Sequence, residues 1–370
     1  MPSSKLEVAT TSDKKQYYHS VTLDRNKCKG CINCIKRCPT EAIRVRDGKA
    51  KIIKERCIDC GECIRVCPYK AKSAVTETLD DIFQYRYKVA IPAPTLYGQF
   101  NNLKDINYIL TGLKYLGFDD IYEVAKATEA ITDYTRRLME EGELVRPVIN
   151  SACPTVVRLI CVRFPNLINH VLPLISPMEV AAKVARKEAM EKTGLPSEQI
   201  GVFFISPCAA KATSTKNPVG LKVSPINGVI PIKEIYLKLL PILGKIERVE
   251  DLSTCAFAGV GWANSGGEVA ALDNNKYVAV DGIHNVVKLL EELEDDETLD
   301  LDFVEALACT GGCVGGPLNV ENTFVAKTKI KKLADELRNK GQRPVPIPIR
   351  DEELVWDSPV VYRNVLNLDS

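Results

Sequence analysis

No charge of one sign dominates this chain, no apolar run is long, and histidine is scarce. Lys plus Arg number 49 and Asp plus Glu 48, a formal charge of +1 over 370 residues. That balance offers no basic stripe for nucleic acid or an anionic membrane. No apolar stretch approaches the ~20 residues that span a bilayer, so no membrane segment is expected. The opening MPSSKLEVATTSDKKQ is polar and has no apolar signal core. A cytoplasmic protein of two or three domains is therefore expected. The three histidines, His19, His170 and His284, stand singly and have no ligand spacing.

Cysteine, by contrast, is plentiful. There are 14, and without a secretory signal they point to metal or redox work rather than to disulfides. Eight fall into two copies of one spacing. These are Cys28-x2-Cys31-x2-Cys34-x3-Cys38-Pro39 and Cys57-x2-Cys60-x2-Cys63-x3-Cys67-Pro68, an internal repeat of period 29. This run holds cubane clusters in bacterial two-cluster ferredoxins, where the fourth cysteine of each run crosses to the other cluster. One cube is expected on Cys28, Cys31, Cys34 and Cys67, the other on Cys57, Cys60, Cys63 and Cys38. Paired zinc sites fit poorly, because zinc sites use four ligands in two separated pairs. Strand-like stretches precede each copy at residues 18–23 and 50–53. The first copy closes with Glu41-Ala42-Ile43, the second with Lys70-Ala71-Lys72.

After Lys72 short apolar runs alternate with amphipathic segments. Strands are predicted at 88–91, 121–124, 148–150, 201–205, 255–260, 277–280 and 303–308. Helices are predicted at 103–116, 125–141, 177–192, 232–243 and 285–293. Such alternation argues for parallel α/β layers, here long enough for two lobes. Residues 291–302 are acidic and read as a solvated helix end and loop. Residues 341–348 are proline-rich and read as an extended strap.

Four of the remaining cysteines sit just after predicted strands. Cys153 lies in Ser151-Ala152-Cys153-Pro154, Cys208 in Ser206-Pro207-Cys208-Ala209-Ala210-Lys211, and Cys309 and Cys313 in Cys309-Thr310-Gly311-Gly312-Cys313-Val314-Gly315-Gly316. Ligands of open α/β sheets bind beyond the carboxyl ends of strands. Three strand ends carrying four cysteines would make one more iron–sulfur site, and the glycines leave room for a bulky group. Cys161 and Cys255 read as small buried hydrophobes.

These three segments, in order, resemble the cysteine signatures of the [FeFe]-hydrogenases, and the resemblance spans residues 20–330. It implies an α+β ferredoxin-like domain with two [4Fe-4S] clusters, joined to an α/β two-lobed H-cluster domain. The expected division is a polar tail over 1–18, the two-cluster domain over 19–80, the hydrogenase domain over 81–345 and a C-terminal extension over 346–370. The H-cluster joins a cubane to a two-iron unit carrying CO, cyanide and an azadithiolate. Carried over, Cys153, Cys208, Cys309 and Cys313 would hold the cubane, and Cys313 would bridge to the two-iron unit. Lys211 would hydrogen-bond a cyanide, and Ala93 and Pro94 would form a turn beside the two irons. Residues 259–267 resemble a glycine-rich segment that precedes a helix.

The departures are specific. Catalytic members have a proton-passing cysteine where Ala152 stands, and a methyl carries no proton. Methionines are replaced by Ser206 and Leu307, and the aromatic after the first signature's proline by Val156. A relay serine falls at Leu172, and a carboxylate three residues past Lys211 is Ser214. A relay glutamate corresponds to Glu129 or Asp133. The glycine run after Cys313 is shortened. The combination resembles the sensory branch of the family in its short form. Only 54 residues follow Gly316, too few for an output domain, so signalling would pass through another protein. The expected function is slow interconversion of H2 with protons and electrons, the electrons moving through the two N-terminal clusters. Expected partners are a ferredoxin or separate signalling protein and the maturation proteins of the two-iron unit. Two alternatives stand beside it. One is a metabolic hydrogenase with a non-standard proton route. The other is a non-catalytic hydrogenase-like assembly protein without the two-iron unit.

Overall fold

The computed structural model describes residues 18–366 except 102, 104, 274 and 296–299. The polar tail expected over 1–18 lies, but for Tyr18, outside the described residues, as does part of the acidic 291–302 segment. In chain order the elements are β1 (Val21–Leu23), α1 (Asn33–Lys36), β2 (Ile43–Arg46), β3 (Lys49–Ile52), α2 (Glu62–Arg65), β4 (Lys72–Ala74), β5 (Tyr87–Pro92), α3 (Ile106–Tyr115), β6 (Asp120–Ile121), α4 (Val124–Glu141), β7 (Val148–Ile149) and α5 (Pro154–Arg163). There follow α6 (Pro177–Thr193), β8 (Ile200–Ser206), α7 (Ala209–Lys216), β9 (Gly228–Pro231), α8 (Ile232–Leu243), α9 (Phe257–Gly261), α10 (Gly267–Leu272), β10 (Tyr277–Asp281), α11 (Ile283–Asp295), β11 (Phe303–Leu307) and α12 (Thr323–Asn339).

The sequence repeat is also a backbone repeat. The one-turn helices α1 and α2 start 29 residues apart. Left-handed residues recur at the same offset, Gly30 with Asp59 and Glu41 with Lys70. Strand β1 pairs antiparallel with β4, setting Leu23 opposite Lys72. Strands β2 and β3 form a hairpin whose turn, Asp47-Gly48, has both residues at positive φ, as an Asp-Gly two-residue turn requires.

The rest builds two parallel sheets, β6-β5-β8-β9 and β10-β11-β7. Every residue of β8 is buried, because a central parallel strand is covered on both faces. Apolar residues of α4, α6 and β5 pack one side of the larger sheet, and those of α3, α8 and α12 the other. A third cluster joins α5, α11 and β11 around the smaller sheet. Helices α4 and α6 stop at Gly142 and Gly194 in left-handed conformation.

Two expectations fail here. The segment read as a strand at 255–260 is the start of α9. A short apolar run does not distinguish a buried strand from a buried helix, and close packing decides it. A Cβ on Gly259 would stand 2.3 Å from the Ala125 carbonyl oxygen, so α9 lies directly on α4. The strand expected at 121–124 shrinks to β6, because Val124 already opens α4. Strand β9 and helices α5, α7 and α12 were not anticipated. The first three are short or begin at a cysteine signature, and α12 has a narrow buried stripe of Ala326, Ile330 and Leu337.

The C-terminal residues strap the molecule. Trp356 Nε1 donates to the Leu174 carbonyl at 2.7 Å, Arg363 N to the Cys161 carbonyl at 2.7 Å, and Arg56 Nε to the Val365 carbonyl at 3.0 Å. No helix among the described residues is long and apolar enough to cross a membrane.

Candidate functional site

Each signature cysteine follows the carboxyl end of a strand. Cys153 comes after β7 and caps α5, Cys208 comes after β8 and caps α7, and Cys309 comes after β11. Cys313 opens a 3-10 turn, Cys313–Gly315. Because β8 belongs to one sheet and β7 and β11 to the other, the four are drawn from both sheets. They line one largely apolar cavity of about 100 Å³ together with Ala93, Pro94, Ala152 and Lys211. Cys313 is exposed to this cavity, deep within the fold. Burial, and then Cys309 and Cys153, push Cys208 up to about 12. Cys313 is raised by burial and then by Cys309, Cys153 and Cys208. Cys208, Cys309 and Cys313 are thus all raised by burial and by neighbouring thiols, a crowding that a bound cation would relieve.

The loop at Cys313 needs its glycines. Gly312 has φ +92°, and a Cβ there would meet Ser265 N at 2.4 Å. A Cβ on Gly315 would meet the Thr310 carbonyl oxygen at 2.0 Å. From the N-terminal module, Arg65 reaches this loop. Its Nε and Nη2 donate to the Gly315 carbonyl at 3.1 and 2.5 Å, and its Nη1 to Glu62 Oε2 at 2.9 Å. Burial raises the Cys309 thiol and the Arg65 guanidinium opposes that rise.

The N-terminal cysteines also gather. Cys38, Cys57, Cys60 and Cys63 line one small cavity. Burial raises Cys60, and Cys63 and Cys38 add to it. Burial raises Cys34 too, with Cys31 and Cys67 contributing. Backbone N–H groups of Ala42 and Ala71 donate to Cys38 Sγ and Cys67 Sγ at 3.2 and 3.3 Å, at matching places in the repeat.

Of the two candidates for a relay carboxylate, Asp133 is exposed and paired with Arg136 and Arg137. Glu129 is buried, accepts from Ala256 N at 2.8 Å and is pushed up to about 7 by burial. Its neighbour Thr128, rather than Glu129, lines the cysteine cavity. Leu172 is buried in the core. Cys161 is core as well, raised to about 11 by burial. Cys255 does more than pack. Its Sγ donates to Glu123 Oε1 at 3.1 Å, within a buried network that also holds Tyr97 and Ser253.

Three carboxylates near the cavity escaped sequence reasoning. Glu268 on α10 and Glu305 on β11 are buried and line the cavity itself. Glu305 accepts from Gly266 N at 2.8 Å and Val269 N at 3.0 Å, and Glu268 Oε2 accepts from Asn150 Nδ2 at 2.7 Å. Burial, and then the Glu305 charge, push Glu268 up to about 8. Glu179 on α6 is the third. It shares with Lys211, Ser214 and Trp356 a second small cavity, and Ser176 Oγ donates to it. Burial raises Glu179 and Lys211 opposes that rise. Glutamates on three separate elements carry no spacing that a sequence reader would notice.

Comparison with known proteins fixes the family. The family model for the iron only hydrogenase large subunit, C-terminal domain, matches residues 86–271 and 245–317. The 4Fe-4S dicluster domain matches residues 20–68, which hold all eight N-terminal cysteines. Iron hydrogenase 1 of Clostridium pasteurianum is 24% identical over 419 residues, covering 92% of this chain and 72% of that protein. The periplasmic [Fe] hydrogenase large subunit of Nitratidesulfovibrio vulgaris is 29% identical over 212 residues, covering 52% of this chain and 50% of that one. Among solved structures, the [FeFe]-hydrogenase HydA1 of Chlamydomonas reinhardtii shares the fold at 18% identity and a TM-score of 0.51, over 75% of this chain and 89% of that chain. The HydA(deltaEFG) structure, reported for stepwise H-cluster assembly, does so at 19% and 0.52, over 75% and 90%. The two domain matches together support iron–sulfur clusters in the N-terminal module and an H-cluster in the larger one. Since the large-subunit match runs from Arg86 to Pro317, well over half of the chain, the protein belongs to the iron-only, or [FeFe], hydrogenase family.

Proposed function

We propose that this chain is a slow, sensory-type [FeFe]-hydrogenase that interconverts H2 with protons and electrons. The observation that carries the reading is the cavity itself. Four thiols and Lys211 line it, while the wall position suited to a proton carrier is the methyl of Ala152. The donor set fits an H-cluster, since four soft thiolates suit iron–sulfur and the remaining wall is apolar. Cys153, Cys208, Cys309 and Cys313 would hold the cubane, and Cys313 would bridge to the two-iron unit. Bound there, the group supplies cleavage of H2 into protons and electrons.

The chain's own residues do the rest. Lys211 would offer its ammonium to a cyanide of the bound group, a charge-assisted contact. Ala93 and Pro94 keep their wall dry. Glu179 supplies the buried counter-charge for Lys211 that Ser214 cannot. Burial raises both acids, but backbone N–H groups of Val269, Gly266 and Glu268 favour the Glu305 carboxylate, which makes Glu268 the better proton holder of the pair. Glu268 can therefore hold a proton at the cavity wall. A single buried acid without a continuous relay supports slow turnover rather than none. The pair is also the observation that favours the second reading, a metabolic enzyme with a non-standard proton route. The N-terminal clusters, held as Cys28, Cys31, Cys34, Cys67 and Cys57, Cys60, Cys63, Cys38, would carry the electrons. Their partner would be a ferredoxin or a signalling protein.

The test is infrared spectroscopy after maturation. CO and cyanide bands are expected, and Cys313→Ser should abolish them while leaving the N-terminal cubes visible by EPR. Absence of the bands from the matured wild-type chain would mean an assembly-type protein without a two-iron unit. Turnover under saturating H2 then separates the sensory from the metabolic reading.

A further inference from the structure

The two cysteine repeats close differently, and nothing in the function above uses the difference. Ile43 ends the first repeat and Lys72 stands at the same place in the second, 29 residues on. Ile43 is buried in an apolar cluster with Cys28, Cys34, Ala50 and Ala71. Lys72 is buried as well, at 4% exposure, and its Nζ has no hydrogen-bond partner. It opens β4, opposite Leu23, and the residue before it, Ala71, donates its N–H to Cys67 Sγ. An ammonium so buried is costly unless negative charge faces it. The facing groups are the cysteine sulfurs. The strand partner of Lys72, Leu23, and its chain neighbour Ala71 pack in one cluster with Cys28, Cys34, Cys38, Cys63 and Cys67. Cys34 and Cys63 belong to different repeats and, with the fourth cysteines crossed, to different cubes.

We propose that Lys72 is a charge-compensating positioning residue between the two N-terminal [4Fe-4S] clusters, and that it raises the reduction potential of both. A cubane on four thiolates is already net negative, and each one-electron reduction adds a further negative charge. A fixed ammonium in a low-dielectric interior stabilises the reduced state more than the oxidised one, and the surrounding charge tunes cluster potentials. At the equivalent position the first repeat has Ile43, and its own nearby cation, Lys49, is engaged with the Cys28 carbonyl at 2.6 Å. The proposal rests on the dicluster module alone and stands whether or not the larger domain carries a two-iron unit.

The experiment is an EPR-monitored redox titration of the full, iron–sulfur-loaded chain with dithionite as the one-electron reductant. Lys72→Met keeps the stem and removes the charge. Lys72→Arg keeps the charge. Both cluster midpoints should move to more negative potential in Lys72→Met and stay near wild type in Lys72→Arg. Unchanged midpoints in Lys72→Met would overturn the proposal, and a shift in one cluster alone would overturn the placement between the two. Lys72→Ile, the residue the fold accepts at the equivalent position, is the second uncharged variant should Met not fold. If only Lys72→Arg retains its clusters, the charge is required and the proposal stands. If Met, Ile and Arg all lose iron, the role is packing and the proposal falls.

Discussion

At the scale of single residues, the cavity wall differs from a catalytic hydrogenase pattern by a few side chains with separable effects. Ala152→Cys should raise turnover modestly. The matching outer change, Leu172→Ser, should be costly, because Leu172 is a core residue at 1% exposure. Its loss leaves a cavity worth about 2–5 kcal/mol, measurable by denaturant unfolding of the cluster-loaded chain. The double variant should therefore gain rate and lose stability together. Glu268 gives a second prediction. Its folded-state pKa of about 8 stands above the ordinary 4.5. The folded chain thus binds more protons than the unfolded one in that window. Stability from the neutral acid is full below about 4.5 and is lost as pH rises through about 8. Glu268→Gln should flatten the fall in melting temperature between pH 5 and 8. If Glu268 is the acid at the wall, the same change should lower H2 turnover by about 10²–10⁴-fold. An unchanged pH profile in the variant would mean that Glu268 is ionised in the native fold.

At the scale of elements, the decisive pieces are turns rather than long helices. Cys309 and Cys313 are brought together by Gly311 and Gly312, both at positive φ. Gly312→Ala would combine left-handed strain with a Cβ 2.4 Å from Ser265 N. The turn must then shift and carry Cys313 away from its partners. The expected outcome is loss of one cubane, read as about four irons fewer per chain, with the N-terminal EPR signals intact. Helix α9 shows the same economy. Gly259 lets it lie on α4, and Ala256 N then reaches Glu129. The failed strand at 255–260 is thus where close packing overrode an ambiguous apolar run.

At the scale of the whole molecule, the electron-carrying and cavity-bearing parts are joined by polar ties. Ser20 N donates to Thr213 Oγ1 at 3.0 Å, Ser20 Oγ donates to the Ala209 carbonyl at 2.7 Å, and Arg65 spans to Gly315. Ala209 and Thr213 lie on the helix that Cys208 caps, and Gly315 follows Cys313. Both ties therefore end beside signature cysteines. Twelve cysteines in three groups should load about twelve irons before any two-iron unit is added. Iron analysis of the reconstituted chain checks this, and eight or fewer irons with all cysteines reactive would contradict it. Arg65→Ala should leave that count unchanged and slow electron transfer between the modules, seen in rapid-freeze EPR.

The sequence by itself determined the metal chemistry and the family, because ligand spacing is local. The triplet-plus-one runs and the three later signatures can all be read without coordinates. It also determined the alternating α/β layers, since strand and helix periods are written in consecutive residues. What only the tertiary structure decided is everything that depends on residues far apart meeting. Folding set Glu268 beside Glu305, Glu179 opposite Lys211, Cys255 onto Glu123 and Lys72 into the interior of the N-terminal module. Each is a buried charge or donor whose meaning comes from its neighbours. Those neighbours lie on other elements, tens to hundreds of residues away, and no local pattern announces them.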